Sequence, residues 1–303
     1  MVAVEARITR LSDVSARQVR EPENEFDWAA MTRGQVIGDE LLSVAGLDLN
    51  LTSEQKAKLS REEVASMLAT GIRFEATLDA AFSLQLAYAE QLDDPRFVYM
   101  LHEVGEETRH QRAFLRLREQ LAPTAKNPFD NRVFAFFMRR MIRILLKSPA
   151  LFSVMLLAGE EIPDLLQKLA CEHPDTDDVL RAVNKYHRAE EARHLAFARM
   201  VLPEEWARAG WIERLRVRYL APRLTQFLFE DMVHPGVYRT IGLPGFRTWW
   251  DAHRTPERRS IRYRATRPIL KTLLDLDILK RGRIPKGWRD LCGVDRRGEP
   301  ISQ

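Results

Sequence analysis

Two Glu-x-x-His pairs, Glu107-Thr-Arg-His110 and Glu191-Ala-Arg-His194, stand on separate runs of helical periodicity in this chain of 303 residues. They restrict the fold more than any other feature. A spacing of three places both side chains of a pair on one helix face, about one turn apart. A single pair means little, because Glu and His are common on solvated helices. Two pairs on two helices describe a bundle with a shared interior site. His187 extends the second pair: at about 100° per residue, His187, Glu191 and His194 fall within roughly 60° of one another and share a face.

Periodicity and turn residues predict two helical hairpins. Ser60-Arg-Glu-Glu63 has the form of a capping box, and opens a run with apolar Leu68, Ile72, Phe82 and Leu86 that reaches about Glu90. After the turn from Gln91 to Pro95, a second helix runs from about Arg96 to Leu121. Pro123 and Pro128 begin a long connection containing the aromatic-rich, basic segment Val133 to Lys147. A basic amphipathic helix can lie on a membrane surface. The favoured reading is a crossover helix packed over the bundle, burying Phe134, Phe136, Phe137 and Met141. A third helix spans about Ala150 to Cys171, interrupted in register by Pro163, and a fourth about Asp177 to Met200.

Two hairpins joined by one long crossover is the topology of ferritin-like four-helix bundles. The chain therefore reads as all-α, with a single domain over 1–303 and a core over about 60–200. An irregular N-terminal arm of short helical pieces covers 1–58, and a helical C-terminal extension covers 201–303, with a helix from Pro203 to about Met232.

In such bundles, two helices each give a Glu and the other two each give a Glu-x-x-His pair. Residues at equal height on antiparallel helices are equidistant from the turn between them. Glu75 and Glu107 have their midpoint at Gln91, inside the first turn, and Glu160 and Glu191 have theirs between Asp175 and Thr176, inside the second. Glu75 also lies in an apolar stripe between Ile72 and Phe82, where an unpaired carboxylate is costly and a cation accounts for it. On the third helix the symmetry cannot separate Glu160 from Glu161, and the apolar positions Val154, Ala158 and Leu165 favour Glu161 as the inward residue. Four carboxylates balance two divalent cations, with three neutral imidazoles completing the shells. Oxygen and imidazole ligands without thiolate suit iron or manganese, and ligand type alone leaves zinc open. Asp79 is the expected acid behind the ligands, and His102, Glu103, Glu106 and Glu190 read as solvated or structural.

Composition narrows the setting. With 45% apolar and 30% charged residues the chain can bury a sizeable core. Cys171 and Cys292 are too few and too far apart for a disulfide framework, which suits a reducing cytoplasm. Residues 1 to 28 lack the apolar core of a signal peptide, and no stretch reaches the run of about 18 apolar residues that a membrane span needs. The net charge of +4 reflects a basic tail, with twelve Lys or Arg against three acids between Arg254 and Arg289. Without a nucleic-acid-binding motif, it reads as the solvated face of the extension, with no nucleic acid expected.

The ordered set Glu75, Glu107-x-x-His110, Glu160, His187-x-x-x-Glu191-x-x-His194 resembles the aminobenzoate N-oxygenase family of di-iron enzymes. Ferritins, ribonucleotide reductase small subunits and bacterial hydroxylases share the Glu and Glu-x-x-His framework, whereas the extra His one turn before the last Glu looks like the N-oxygenases. The resemblance covers about residues 60–200, and its interval between the last two glutamates implies Glu160 rather than Glu161. It implies two irons, with manganese as an alternative, that activate O2 through a peroxo intermediate and oxygenate an arylamine to hydroxylamine, nitroso or nitro products. In that reading Glu75, Glu107, Glu160 and Glu191 bridge or chelate the irons, His110 and His194 hold one each, and His187 adds a neutral ligand. Electrons then come from an external donor such as a ferredoxin, a reductase or a small reductant. Ligands do not choose substrate; hydroxylation or desaturation of an aliphatic substrate is the rival, and a non-enzymatic iron-binding protein a further one. Homodimers are the commonest assembly, and one is expected here.

Overall fold

The computed structural model describes residues 2–301. Among them no strand forms, only an isolated antiparallel bridge between Val294 and Pro300. The chain belongs to the all-α class, and its four bundle helices begin at side-chain caps or prolines.

The N-terminal arm is more regular than expected. Its first helix, α1 (Val2–Arg17), is 16 residues long and buries Ile8 completely. Val4, Ile8 and Leu11 recur at helical spacing and pack against the bundle, which holds the helix in place. From Pro22 to Thr52 the chain forms only short helical pieces, at Pro22–Glu25, Trp28–Ala30 and Asp39–Leu41, with Val36, Ile37, Leu42 and Val44 buried.

The first bundle helix, α2 (Ser53–Ala87), starts a full two turns before Ser60. Its cap is Thr52, whose Oγ1 accepts from the Gln55 amide at 3.2 Å while the Gln55 side chain accepts from the Thr52 amide at 3.0 Å. Ser60 lies inside the helix, where its hydroxyl donates to the Ala57 carbonyl and accepts from the Val36 amide. Glu63 accepts from the Ser43 amide at 2.9 Å. The Ser-x-x-Glu pattern thus serves the arm rather than a helix end.

Helix α3 (Pro95–Leu121) is capped by Asp94 and completes the first hairpin. The crossover is a helix, α4 (Arg132–Leu146), but it buries nothing fully. Phe134 and Met141 are half-buried, whereas Phe136 and Phe137 are 60% and 61% exposed, against expectation. Consecutive residues on a helix are about 100° apart, so Phe134, Met138 and Met141 take the inward face and leave Phe136 and Phe137 outside it, while at the C-terminal end Ile144, Leu145 and Leu146 all pack against the core. Helix α5 (Pro149–Glu172) continues through Pro163, which withdraws the hydrogen bond to the Gly159 carbonyl without ending the helix. Helix α6 (Asp178–Arg208), capped by Asp177, likewise passes through Pro203, so no helix begins there. The break falls at Gly210 and is followed by Trp211–Leu215, a π turn over Arg216–Leu220, and α7 (Ala221–Asp231).

In the C-terminal part, α8 (Pro256–Asp275) lies against α5 and α9 (Lys286–Cys292) against α8. Much of the basic tail is structural. Arg258 and Arg262 are buried, and Arg267 donates to the carbonyls of Cys292 and Gly293. No single helix among the described residues is long and apolar enough to cross a membrane.

Two apolar layers position the site. One contains Leu78, Phe82, Tyr99, Phe152 and Phe197, the other Leu68, Phe114, Leu117, Leu180 and Val183. On α2, α3 and α6, the interval between the layers holds Glu75, Glu103 to His110, and His187 to His194. Buried charge is concentrated where the apolar core is interrupted.

Candidate metal centre

The structure brings Glu75, Glu107, His110, Glu160, His187, Glu191 and His194 into the bundle interior, each with no more than 4% of its surface exposed. Helix α3 contributes Glu107 and His110, α6 contributes His187, Glu191 and His194, and α2 and α5 contribute one Glu each. Glu161 turns away to pair with Arg199, and Glu160 faces Glu191, Glu107 and His194. The apolar stripe that favoured Glu161 misleads because nearly every residue from Ala150 to Ile162 is buried, so burial there does not mark a single face.

The distances define two poles. His110 Nδ1 lies 3.1 Å from Glu191 Oε1 and 3.5 Å from Glu107 Oε2. His194 Nδ1 lies 2.9 Å from Glu191 Oε2 and 3.2 Å from Glu107 Oε1. Each of these carboxylates therefore offers one oxygen to each histidine, the disposition of a group that bridges two ions. His187 joins the His110 pole, with Nε2 at 3.2 Å from both Glu75 Oε1 and Glu191 Oε1. One oxygen each of Glu75, Glu160 and Glu191, both of Glu107, and Nδ1 of His110 are buried without a hydrogen-bond partner. Unpaired buried polar atoms are rare and costly, and here they converge on shared points. Two oxygen- and imidazole-coordinated cations fit this arrangement.

Electrostatics without a cation show what the cluster lacks. Burial, with Glu107 nearby, pushes the Glu75 carboxyl well above its ordinary range, and burial with Glu191 nearby does the same to Glu160. Burial lowers His187 to about 3, which leaves a neutral imidazole ready to ligate. Burial also opposes charge on His110 and His194, but the surrounding glutamates raise both well above the usual value. Cations bound here would displace those protons, since ligation needs the carboxylates ionised and the imidazoles neutral.

The acids that orient the histidines are Glu106 and Glu190, which are buried rather than solvated. Glu190 Oε2 lies 2.8 Å from His110 Nε2, and Glu106 Oε2 lies 2.8 Å from His194 Nε2, so each motif's acid holds the other motif's histidine. Such contacts fix the tautomer and aim of a metal-binding imidazole. Arg193 donates to Glu106 at 2.7 Å and to Ser15 Oγ of α1 at 3.1 Å, so the arm buttresses the centre. The sequence carries a signal for this layer in the repeated Glu-Glu-x-Arg-His, at 106–110 and 190–194. Asp79, the expected supporting acid, instead accepts from Gln111 at 2.6 Å.

A largely apolar pocket opens beside Glu75, Glu160 and His187, walled by residues such as Met67, Phe74, Phe114, Leu228 and Met232. Gly159 lines it, and a Cβ there would stand 1.8 Å from Phe74 Cζ. Gly159→Ala is therefore expected to displace the Phe74 ring and to destabilise the fold by about 1–3 kcal/mol, as overpacking does. Urea denaturation checks this, and an unchanged midpoint contradicts the close approach. Arg258 also lines the pocket, with Nε and Nη2 buried and unpaired and its guanidinium 4.6 Å above the Phe229 ring.

The helical topology and the buried Glu/His centre define a protein of the ferritin-like di-iron class. Residues 2–277, nearly the whole chain, match the family described as p-aminobenzoate N-oxygenase AurF, and the chain belongs to that family. Similar proteins include Uncharacterized protein Rv0885 of Mycobacterium tuberculosis and Uncharacterized protein Mb0909 of Mycobacterium bovis. Each is 23% identical over 237 residues, an alignment covering 75% of this chain and 69% of the relative. Family membership supports an oxygenase, and the Glu/His clusters fit iron.

Proposed function

We propose that this chain is a di-iron oxygenase that N-oxygenates an aromatic amine, with one ion held mainly by Glu75, His110 and His187, the other by Glu160 and His194, and Glu107 and Glu191 between them. The observation that carries the reading is the split of the two Glu107 and two Glu191 oxygens between His110 and His194. Iron, when bound, supplies O2 activation and electron transfer; the chain supplies the rest. Glu106 and Glu190 hold the imidazoles in one tautomer, the apolar layers exclude water, and the pocket admits a substrate to the Glu75, Glu160 and His187 side of the centre.

The family description names an aminobenzoate, which joins an amine to a carboxylate. Arg258 favours such a substrate, because its Nε and Nη2 are buried without hydrogen-bond partners and a guanidinium binds a carboxylate strongly. An aliphatic hydroxylation or desaturation substrate leaves those two donors unsatisfied, and an iron-storage role leaves the pocket unexplained. Electrons come from an external donor, and the proposed assembly is a single-domain subunit in a cytoplasmic homodimer.

Stopped-flow absorption of the iron-loaded, reduced protein mixed with O2 tests this. A transient visible band is expected, decaying faster with aminobenzoates than with uncharged anilines. A band indifferent to every amine points to the aliphatic reading, and no oxygen reaction removes the oxygenase assignment.

A further inference from the structure

The two motif helices repeat over eight residues: Glu103-x-x-Glu-Glu-x-Arg-His110 on α3 and His187-x-x-Glu-Glu-x-Arg-His194 on α6. Four positions are identical, and the bundle relates the two segments approximately by a twofold: Glu106 answers Glu190, Glu107 answers Glu191, and His110 answers His194 in the contacts to the histidines described above. In this correspondence the partner of His187 is Glu103. His187 lies one turn before its bridging Glu and joins the pole of His110 with Glu75; Glu103 lies one turn before Glu107 and joins the pole of His194. Oxygen or nitrogen atoms of Glu103, Glu107 and His194 lie within 4.8 Å of one another, as those of Glu75, His110 and His187 do.

Glu103 is completely buried, and neither of its oxygens has a hydrogen-bond partner. No ion pair reaches it among the described residues, whereas Glu106, on the same helix, is held by both Arg193 and His194. A carboxylate in that condition is destabilising unless something else engages it, and its environment contains the other donors of a cation site.

Building on the iron-pair reading, we propose that Glu103 is an eighth metal ligand, bound to the ion that His194 holds. The two ions then have unlike shells. One has two imidazoles, from His110 and His187; the other has one imidazole and an added carboxylate. The second is the harder, more anionic site. It is expected to take manganese in preference to the first, and to stabilise the higher charge of its iron after oxidation.

Anaerobic titration with Fe(II), with 57Fe Mössbauer spectra of the loaded protein, tests the assignment on the full chain. Wild type is expected to bind two ions with two resolved quadrupole doublets. In Glu103→Gln, which keeps the shape of the side chain, the affinity of one ion is expected to fall at least about tenfold, since even outer-shell losses cost 10–100-fold, and one doublet is expected to move. Glu103→His, which makes the shells alike, is expected to restore two-ion binding and draw the doublets together; it also covers the case in which Glu103→Gln does not fold. Two ions bound with unchanged affinity and spectrum in both variants overturn the role of Glu103 and leave the iron pair standing. Failure of wild type to bind two ions overturns the iron pair and this ligand together.

Discussion

Glu191→Ala is expected to abolish two-ion binding and reduce oxygen reactivity to background. Glu191 is the one carboxylate within 3.2 Å of all three histidines, through Oε1 to His110 and His187 and through Oε2 to His194. Its removal therefore takes a ligand from both ions at once. Losing an outer-shell partner already costs 10–100-fold in metal affinity, so the expected loss here exceeds about 100-fold at both positions. Metal analysis of the loaded protein and Fe(II) titration measure it. The same substitution leaves a buried hole and removes the anion that faces His194 and His187, so circular dichroism of the metal-free variant is needed to separate lost binding from lost structure. Glu161→Gln is the matched control. It alters a buried carboxylate on α5 next to Glu160, but that carboxylate pairs with Arg199, so both ions are expected to bind as in wild type. If Glu161→Gln loses an ion and Glu191→Ala does not, the inward face of the bundle has been misassigned.

The motif helices were legible because their chemistry is local. A Glu-x-x-His spacing specifies a face without reference to any other part of the chain, and hairpin symmetry then selects heights on the facing helices, which is how Glu75 and the pair Glu160 and Glu161 come forward. What the sequence hid depends on partners far along the chain. Glu106 and Glu190 look like solvated neighbours of the ligands until the opposite helix presents a histidine to each. Glu63 looks like part of a helix cap until Ser43 supplies its hydrogen bonds. Phe136 and Phe137 look like core residues, yet they fall outside the face along which Phe134, Met138 and Met141 meet the bundle. Helix α1 was readable in part, since Val4, Ile8 and Leu11 recur at helical spacing, but nothing local shows that its polar Ser15 is tied to the centre through Arg193. The repeated Glu-Glu-x-Arg-His was readable in principle, since two pentapeptides identical at four positions suggest equivalent roles for each of the four, the acid before the ligand included.

Metal loading is expected to raise the melting temperature by about 10 °C at neutral pH, by a margin that widens as pH rises. Binding to the folded state alone stabilises by about 2.7 kcal/mol per site at a hundredfold excess over Kd, and each kcal/mol moves the melting point of a chain this long by roughly 2 °C. The pH dependence follows from protons that the metal displaces. Without a cation, burial holds Glu75 and Glu160 well above the ordinary carboxyl value, and raises Glu103 to about 8. These groups bind protons in the folded state that the unfolded chain releases above about 4.5. Their contribution to metal-free stability is thus complete below that value and is lost as pH rises through the folded values, about 8 for Glu103. His110 and His194, also raised, act in the same sense, losing their contribution as pH passes the folded values; His187, lowered to about 3, opposes them. In the loaded protein the carboxylates are ionised against the cations, so the dependence reverses: protons compete with metal, and stability falls as pH drops. Melting curves of the metal-free and loaded forms between pH 5 and pH 8 are therefore expected to diverge with rising pH, and loading in weak buffer is expected to release protons. Glu63 and Asp231, each raised to about 7 by burial, titrate in both forms and cancel from the difference. Parallel curves with no proton release would mean that the buried carboxylates are not the groups the metal engages.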